Sequence, residues 1–330
     1  MIDFYGLSSE QDLIPAHDGS WSIQMDGYEV PAQTTSYACQ SFTLPTDQDR
    51  HVVALRPINV SAYNHHALVH ICADNAYVGQ HASPQLCSYH PMGSVEGTSS
   101  NPSGGQGSSP LGSTASGCNG LLYVWAIGMG DFILPEEAGL RIGRNDIQNI
   151  ILEIHYDNPA HTTGIVDYMG FEAFYVDTPR AHDAASIIIG DPIVRFGSAI
   201  AAQETGDLPK GSIIHREATC PGSCTESMSE TINVFGHFHH MHHYGKKIYT
   251  ERYSVSGEYL GIAGDRIDFW DNGTEPSPPV ASLPHPPHQY SSLVRSSLIS
   301  QRGSSGVSMY AAGGQRRPAM AGCRVAPAGY

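Results

Sequence analysis

The 330-residue chain reads as an all-β protein, and three observations carry that reading. Long stretches of helical periodicity are scarce. Short runs rich in β-branched and aromatic residues recur instead: RHVVALRPINV (50–60), HHALVHICA (65–73), GLLYVWAIG (120–128), NIILEIHYDN (149–158), GFEAFYVD (170–177), ASIIIGD (185–191) and IYTERYSV (248–255). Turn-forming residues punctuate these runs at intervals, the pattern of antiparallel sandwiches or barrels.

The length leaves room for two domains of ordinary size. Residues 94–117 are rich in serine and glycine and predict a flexible surface loop. VDTPRAHDA (176–184) follows one set of strands and marks a domain boundary. The chain then changes character. After Glu275 there is no Asp, Glu or Lys, while Arg295, Arg302, Arg316, Arg317 and Arg324 appear and proline and serine rise. That composition predicts a disordered or loosely attached tail.

Thirty-two carboxylates stand against 17 Lys and Arg, a formal charge of −15. A nucleic-acid partner needs a basic face to displace counterions, so this balance argues against one. No run reaches the ~18 apolar residues of a membrane span. The start, MIDFYGLSSEQDLIPAHDG, lacks the basic-then-apolar order of a signal peptide.

Seven cysteines stand at 39, 72, 87, 118, 220, 224 and 323. CxxC is absent, which disfavours a zinc finger. Cysteines scattered among strands read as disulfides of a secreted protein, and the odd count leaves at least one thiol over. The sequons at Asn59 and Asn272 fit that compartment and suggest a glycoprotein.

Histidine is concentrated in three places. YNHHALVHIC holds His65, His66 and His70. Adjacent residues of a strand point to opposite faces, so His65 and His66 share an ion only where the backbone bends; otherwise they are an edge pair facing solvent. In IILEIHYDNP, alternation gives Leu152, Ile154 and Tyr156 one face and Ile151, Glu153 and His155 the other. A lone histidine there is more often a satisfied one than a ligand. VFGHFHHMHHYGKK (234–247) gathers five histidines and a methionine. His240 and His242 share a face with Phe238 and Tyr244, while His237, His239, Met241 and His243 share the other. A His-x-His pair in a strand presents two imidazoles to one ion without distortion. The interleaved Phe235, Phe238 and Met241 disfavour a purely solvated strip.

These residues resemble the copper type II, ascorbate-dependent monooxygenases. Asn233 to Gly245 follows that family's second signature, H-x-F-x4-H-T-H-x2-G, with Phe235, His240, His242 and Gly245 in register and Asn233 and Met241 as departures. His65 to Cys72 follows the first, H-H-M-x2-F-x-C, keeping both histidines and the cysteine. LEIHYDNP (152–159), LPEEAGLRIG (134–143) and VPAQTTSYACQSFTLP (30–45) also resemble family segments, in the right order.

The resemblance implies two jelly-roll-like antiparallel β-sandwich domains facing each other across a cleft. They would span 28–180 and an incomplete 181–271, preceded by an extension, 1–27, and followed by the tail, 272–330. It implies one copper on His65, His66 and His155 for electron transfer. A second copper on His240 and His242 would be the place where O2 and substrate react. A thioether completes the second site in the family, and Met309 and Met320 are the methionines available, with Met309 the candidate. The implied disulfides are Cys39–Cys87 and Cys72–Cys118, with Cys220–Cys224 as a local fallback.

The implied activity is hydroxylation of a C–H bond with O2, ascorbate being the reductant. The compartment would be extracellular or the lumen of the secretory pathway. The peptide-hydroxylating branch uses an arginine where this chain has Phe238, so a small amine-like or phenolic substrate is favoured. Two rival readings stand beside it: a secreted copper-binding protein with a degenerate second site, and a zinc hydrolase. The second lacks an HExxH helix.

Overall fold

In the computed structural model the described residues are 14–72, 82–87, 118, 120–190, 214–220, 233–241, 245–254, 257–263, 266–268, 293–300, 305–313 and 326–327. In chain order the strands are β1 (Gly19–Gln24), β2 (Tyr28–Glu29), β3 (Thr35–Thr43), β4 (Arg50–Ile58), β5 (Asn64–Cys72), β6 (Gln85–Leu86), β7 (Gly120–Ala126), β8 (Phe132–Ile133), β9 (Ala138–Ile142) and β10 (Asn149–Asp157). There follow β11 (Val166–Asp167), β12 (Gly170–Val176), β13 (His182–Gly190), β14 (Ile214–Cys220), β15 (Asn233–Met241), β16 (Gly245–Tyr253), β17 (Tyr259–Ile262), β18 (Leu293–Ser300), β19 (Ser305–Gly313) and β20 (Ala326–Pro327). The protein is all-β, as its alternating runs predict. No helix among the described residues is long and apolar enough to cross a membrane.

Two sheets make the first sandwich. One runs β6-β3-β10-β5-β7. The other runs β1-β12-β4-β9-β13-β19-β15, with β8 also paired to β4. Alternation decides what fills the space between them. Ile150, Leu152, Ile154 and Tyr156 of β10 and Ala67 and Val69 of β5 face inward. Val52 and Leu55 of β4, Leu140 and Ile142 of β9, and Phe171 and Ala173 of β12 meet them. Tyr123 and Trp125 are fully buried among these, and the Trp125 indole N–H donates to the Met129 carbonyl at 3.0 Å. Each large aliphatic or aromatic side chain so buried contributes roughly 1.5–3 kcal/mol.

The outward face of the β3-β10-β5 sheet is also partly covered. Cys39, Cys72, Cys118 and Ile151 cluster there with Cys87. The disulfides Cys39–Cys87 and Cys72–Cys118 form as the resemblance implies. The remaining expected pair cannot be followed, since the Cys220 side chain and all of Cys224 lie outside the described residues, as does the loop 94–117.

The second sheet continues across the boundary expected near residue 180. β13 pairs with β9 in parallel, His182 opposite Ala138 and Ala184 opposite Leu140, and then with β19 antiparallel. Within the stretch expected to be an extension, β1 pairs with β12 and Ile23 and Met25 join the core. Within the stretch expected to be a tail, 293–300, 305–313 and 326–327 are strands. β14, β16, β17, β18 and β20 form a further sheet in the order β17-β16-β18-β14-β20.

A buried polar link fastens β13 to β4. His51 and Asp183 are 0% and 4% exposed, with Nε2 to Oδ1 at 2.9 Å. The Arg180 backbone N–H donates to Nδ1 at 3.0 Å, so the ring is neutral and carries its proton on Nε2. Gly139 has no room for a side chain because the His51 ring lies against it. Burial is the main cause holding the His51 pKa below its ordinary value, against the opposing pull of Asp183. An unfolded chain protonates this ring below about pH 6.5 while the folded chain resists. The stability it contributes is therefore present above that pH and lost as the pH falls through it. The urea midpoint is expected to drop between pH 7.5 and 5.5, with a shallower drop in His51→Gln.

Candidate metal centre

The sequence poses a geometric difficulty at His65 and His66, because neighbours in a regular strand face opposite ways. A β-bulge resolves it. Across β10 and β5, His155 pairs with His66, but the next residue, Tyr156, pairs with Asn64. His65 is the extra residue, and a bulge of this kind turns successive side chains toward one side. The His65 carbonyl stays satisfied, accepting from the Ile127 N–H at 3.1 Å.

The consequence is a cluster of three imidazoles. One nitrogen from each of His65, His66 and His155 lies within 4.8 Å of the others. Nδ1 of His66 is 3.0 Å from Nδ1 of His65 and 3.3 Å from Nδ1 of His155. Nitrogens at those separations, each bonded to one ion at about 2.0–2.1 Å, subtend roughly 95–105° at it. That is a workable angle for a three-nitrogen site with further positions open. Imidazole suits copper and zinc alike, so the donor set fits the ion that the resemblance implies.

Residues that no motif singles out hold this cluster. Tyr37, opposite His155 in β3, stacks on its ring at 4.5 Å and 19°. Behind the bulge, the buried carboxylate of Asp167 accepts from Ser61 Oγ at 3.1 Å, Asn64 Nδ2 at 3.2 Å, Tyr156 Oη at 3.0 Å and the Met169 N–H at 3.0 Å. Burial and that carboxylate push the Tyr156 phenol far above its ordinary pKa, so it remains a donor. Asp167 thus ties the residue before His65 and the residue after His155 to one anchor. A lone Asp in VDYMG gives no sequence signal of this role.

His70 goes elsewhere. Its Nε2 lies 3.2 Å from Glu153 Oε2, both residues being 1% exposed or less. Glu153 also approaches the sulfurs of Cys39 and Cys87, but these are consumed in a disulfide and offer no thiolate.

On β15, Phe235 is 9% exposed and joins the sandwich core, and Phe238, 4% exposed, packs with Leu121, Val124 and Ala126. Ala126 is the cross-strand partner of His66. Alternation gives His240 the face of Phe238. Only the backbone of His240 is described, and His242 lies outside the described residues. The pairing with β19 sets Gly306 opposite His240 and Met309 opposite His237. Met320 lies outside the described residues.

Comparison with known proteins agrees with this geometry. Residues 21–163 match the family model described as copper type II ascorbate-dependent monooxygenase, N-terminal domain. DBH-like monooxygenase protein 1 of Homo sapiens is 27% identical over 252 residues, 73% of this chain and 36% of that protein. Tyramine beta-hydroxylase of Caenorhabditis briggsae is 28% identical over 229 residues, 68% of this chain and 34% of its own length. Dopamine beta-hydroxylase of Bos taurus is 28% identical over 261 residues, 74% of this chain and 36% of its own. The matches thus cover about a third of the length of these relatives. Residues 21–163, which contain the bulged His65–His66 pair and His155, are thus similar to the N-terminal domain of the copper type II ascorbate-dependent monooxygenases.

Proposed function

We propose that this chain is the copper-binding part of an ascorbate-driven monooxygenase that hydroxylates a C–H bond of a small organic substrate with O2. One oxygen atom would enter the substrate and the other would leave as water, ascorbate supplying two electrons. The observation that carries the reading is the convergence of three imidazole nitrogens across the bulge at His65.

His65, His66 and His155 would hold the electron-transfer copper, and His240 and His242 the copper at which substrate is hydroxylated. Copper, when bound, supplies the one-electron couple that links ascorbate oxidation to oxygen reduction. The chain supplies position. Tyr37 fixes the plane of the His155 ring, and Asp167 fixes the backbone on either side of the bulge. Phe238, two residues before His240, packs at Ala126 beside His66 and so ties the two ligand strands together. An apolar side chain at 238 favours a substrate without a carboxylate at that end, such as an amine or a phenol. Two disulfides on the sheet that carries the first site fit an oxidising, secretory compartment.

The test is copper stoichiometry in reconstituted protein together with ascorbate-dependent oxygen uptake. The expected result is one copper lost in His65→Ala/His66→Ala and a different one lost in His240→Ala/His242→Ala, with substrate-dependent uptake abolished in both. Copper held only at the first site, with no coupled uptake on any amine or phenol offered, would instead identify a copper-binding protein without oxygenase activity.

A further inference from the structure

β15 carries more imidazole than the proposed hydroxylation site uses. His237 and His239 stand on the strand face opposite His240, by the two-residue alternation of a strand. Their ring centroids are 5.0 Å apart with an interplanar angle of 72°. In the His65, His66 and His155 cluster the corresponding separations are 4.6–5.2 Å and the angles 60–75°. The second pair thus has the ring spacing of the first set.

His239 supplies an independent sign of a ligand. The residue is 2% exposed, and its Nδ1 is buried with no hydrogen-bond partner among the described residues. Its Nε2 lies 3.5 Å from the hydroxyl of Thr250, which is itself fully buried. Proton on Nε2 toward Thr250 leaves the Nδ1 lone pair bare, the arrangement by which a second contact fixes a ligand tautomer. A polar atom buried without a partner is destabilising, and an ion at Nδ1 would offset that.

We propose that His237 and His239 form a Cu(I) site on the face of β15 opposite His240. The charge of the ion follows from the surroundings. Two neutral imidazoles bring no negative charge, and a buried monovalent ion needs less compensation than a divalent one. Cu(I) accepts low coordination numbers, and soft thioether donors favour it further. The strand register sets Met309 opposite His237. The site does not rest on the oxygenase reading, since it uses none of the residues assigned there.

The experiment is an anaerobic titration of the full chain with Cu(I), competed by a chromophoric Cu(I) chelator. In the otherwise wild-type chain, His239→Gln keeps an amide for Thr250 and is expected to lower the Cu(I) count by one. His237→Ala should weaken the same equivalent by at least about 100-fold, in the range that loss of a metal-site group produces. A count unchanged by both substitutions overturns the proposal. A second arm uses His65→Ala/His66→Ala/His240→Ala/His242→Ala, checked by circular dichroism. One equivalent retained there and lost with His239→Gln supports the site, and none retained in the folded variant overturns it. Because four substitutions can unfold a chain, the single substitutions decide independently. A full Cu(I) count retained in His240→Ala/His242→Ala, with one equivalent lost in His239→Gln, supports this site while counting against copper at His240 and His242.

Discussion

His66→Ala is expected to abolish metal binding at the β5–β10 site, with affinity falling by at least about 100-fold. His66 is the hub of the three imidazoles, its Nδ1 lying 3.0 Å from that of His65 and 3.3 Å from that of His155. Without it, the remaining pair leaves an ion open to water and competing chelators. The control is His70→Ala, on the same strand and equally buried. His70 contacts Glu153 rather than the cluster, so its removal is expected to lower stability and leave the copper count unchanged. Competition titration with a copper chelator reads the first effect, and urea denaturation of the apo-protein reads the second. Equal loss of copper in the two variants would show that the cluster responds to the fold of β5 and not to His66 itself.

Asp167→Ala is expected to cost both stability and metal affinity. The carboxylate accepts from Ser61, Asn64, Tyr156 and Met169. Its loss strands the Asn64 amide and the Tyr156 phenol, both fully buried, without their charged acceptor. Hydrogen bonds to charged groups contribute about 1.5–3 kcal/mol each, and buried groups left unsatisfied add a further penalty. A loss of about 3–5 kcal/mol follows, at the upper end of single-substitution effects. Asn64 precedes His65 and Tyr156 follows His155, so the bulge should also loosen. Copper affinity should fall about 10–100-fold, as when a group behind a ligand is removed. Asp167→Asn keeps an acceptor oxygen and is expected to fall between wild type and Asp167→Ala in both readouts.

How much of this was legible from sequence alone depended on whether the deciding contact was local. The faces of β10 follow from two-residue alternation, and Leu152, Ile154 and Tyr156 do turn inward while Glu153 and His155 turn outward. The first disulfides and the three ligand candidates followed from resemblance. The bulge at His65 did not, because it is a property of the register between β5 and β10, and nothing in NHHA announces it. The place of Met309 is hidden for the same reason. It opposes His237 of β15, and that pairing joins segments some seventy residues apart. β1 was missed because residues 1–27 were read as one extension, although Trp21, Ile23 and Met25 alternate across 19–25. Asp167 carries no motif and acts through hydrogen bonds made by distant parts of the chain.

The pairing of β15 with β19 has a consequence in time. The strands bearing the first three histidines are both present once residue 157 has been synthesised, although β10 must find β5 across some eighty intervening residues. β15 is an edge strand held to its sheet by β19, whose last residue is Gly313, and β19 is in turn held by β13. Non-local pairings of this length form slowly, and N-terminal parts fold first during synthesis. The cluster on β5 and β10 can therefore mature early, while the histidines of β15 wait for a segment that emerges about seventy residues later. During that interval β15 exposes an unpaired edge rich in histidine, the stage at which an emerging chain is most open to premature metal capture and edge-to-edge association.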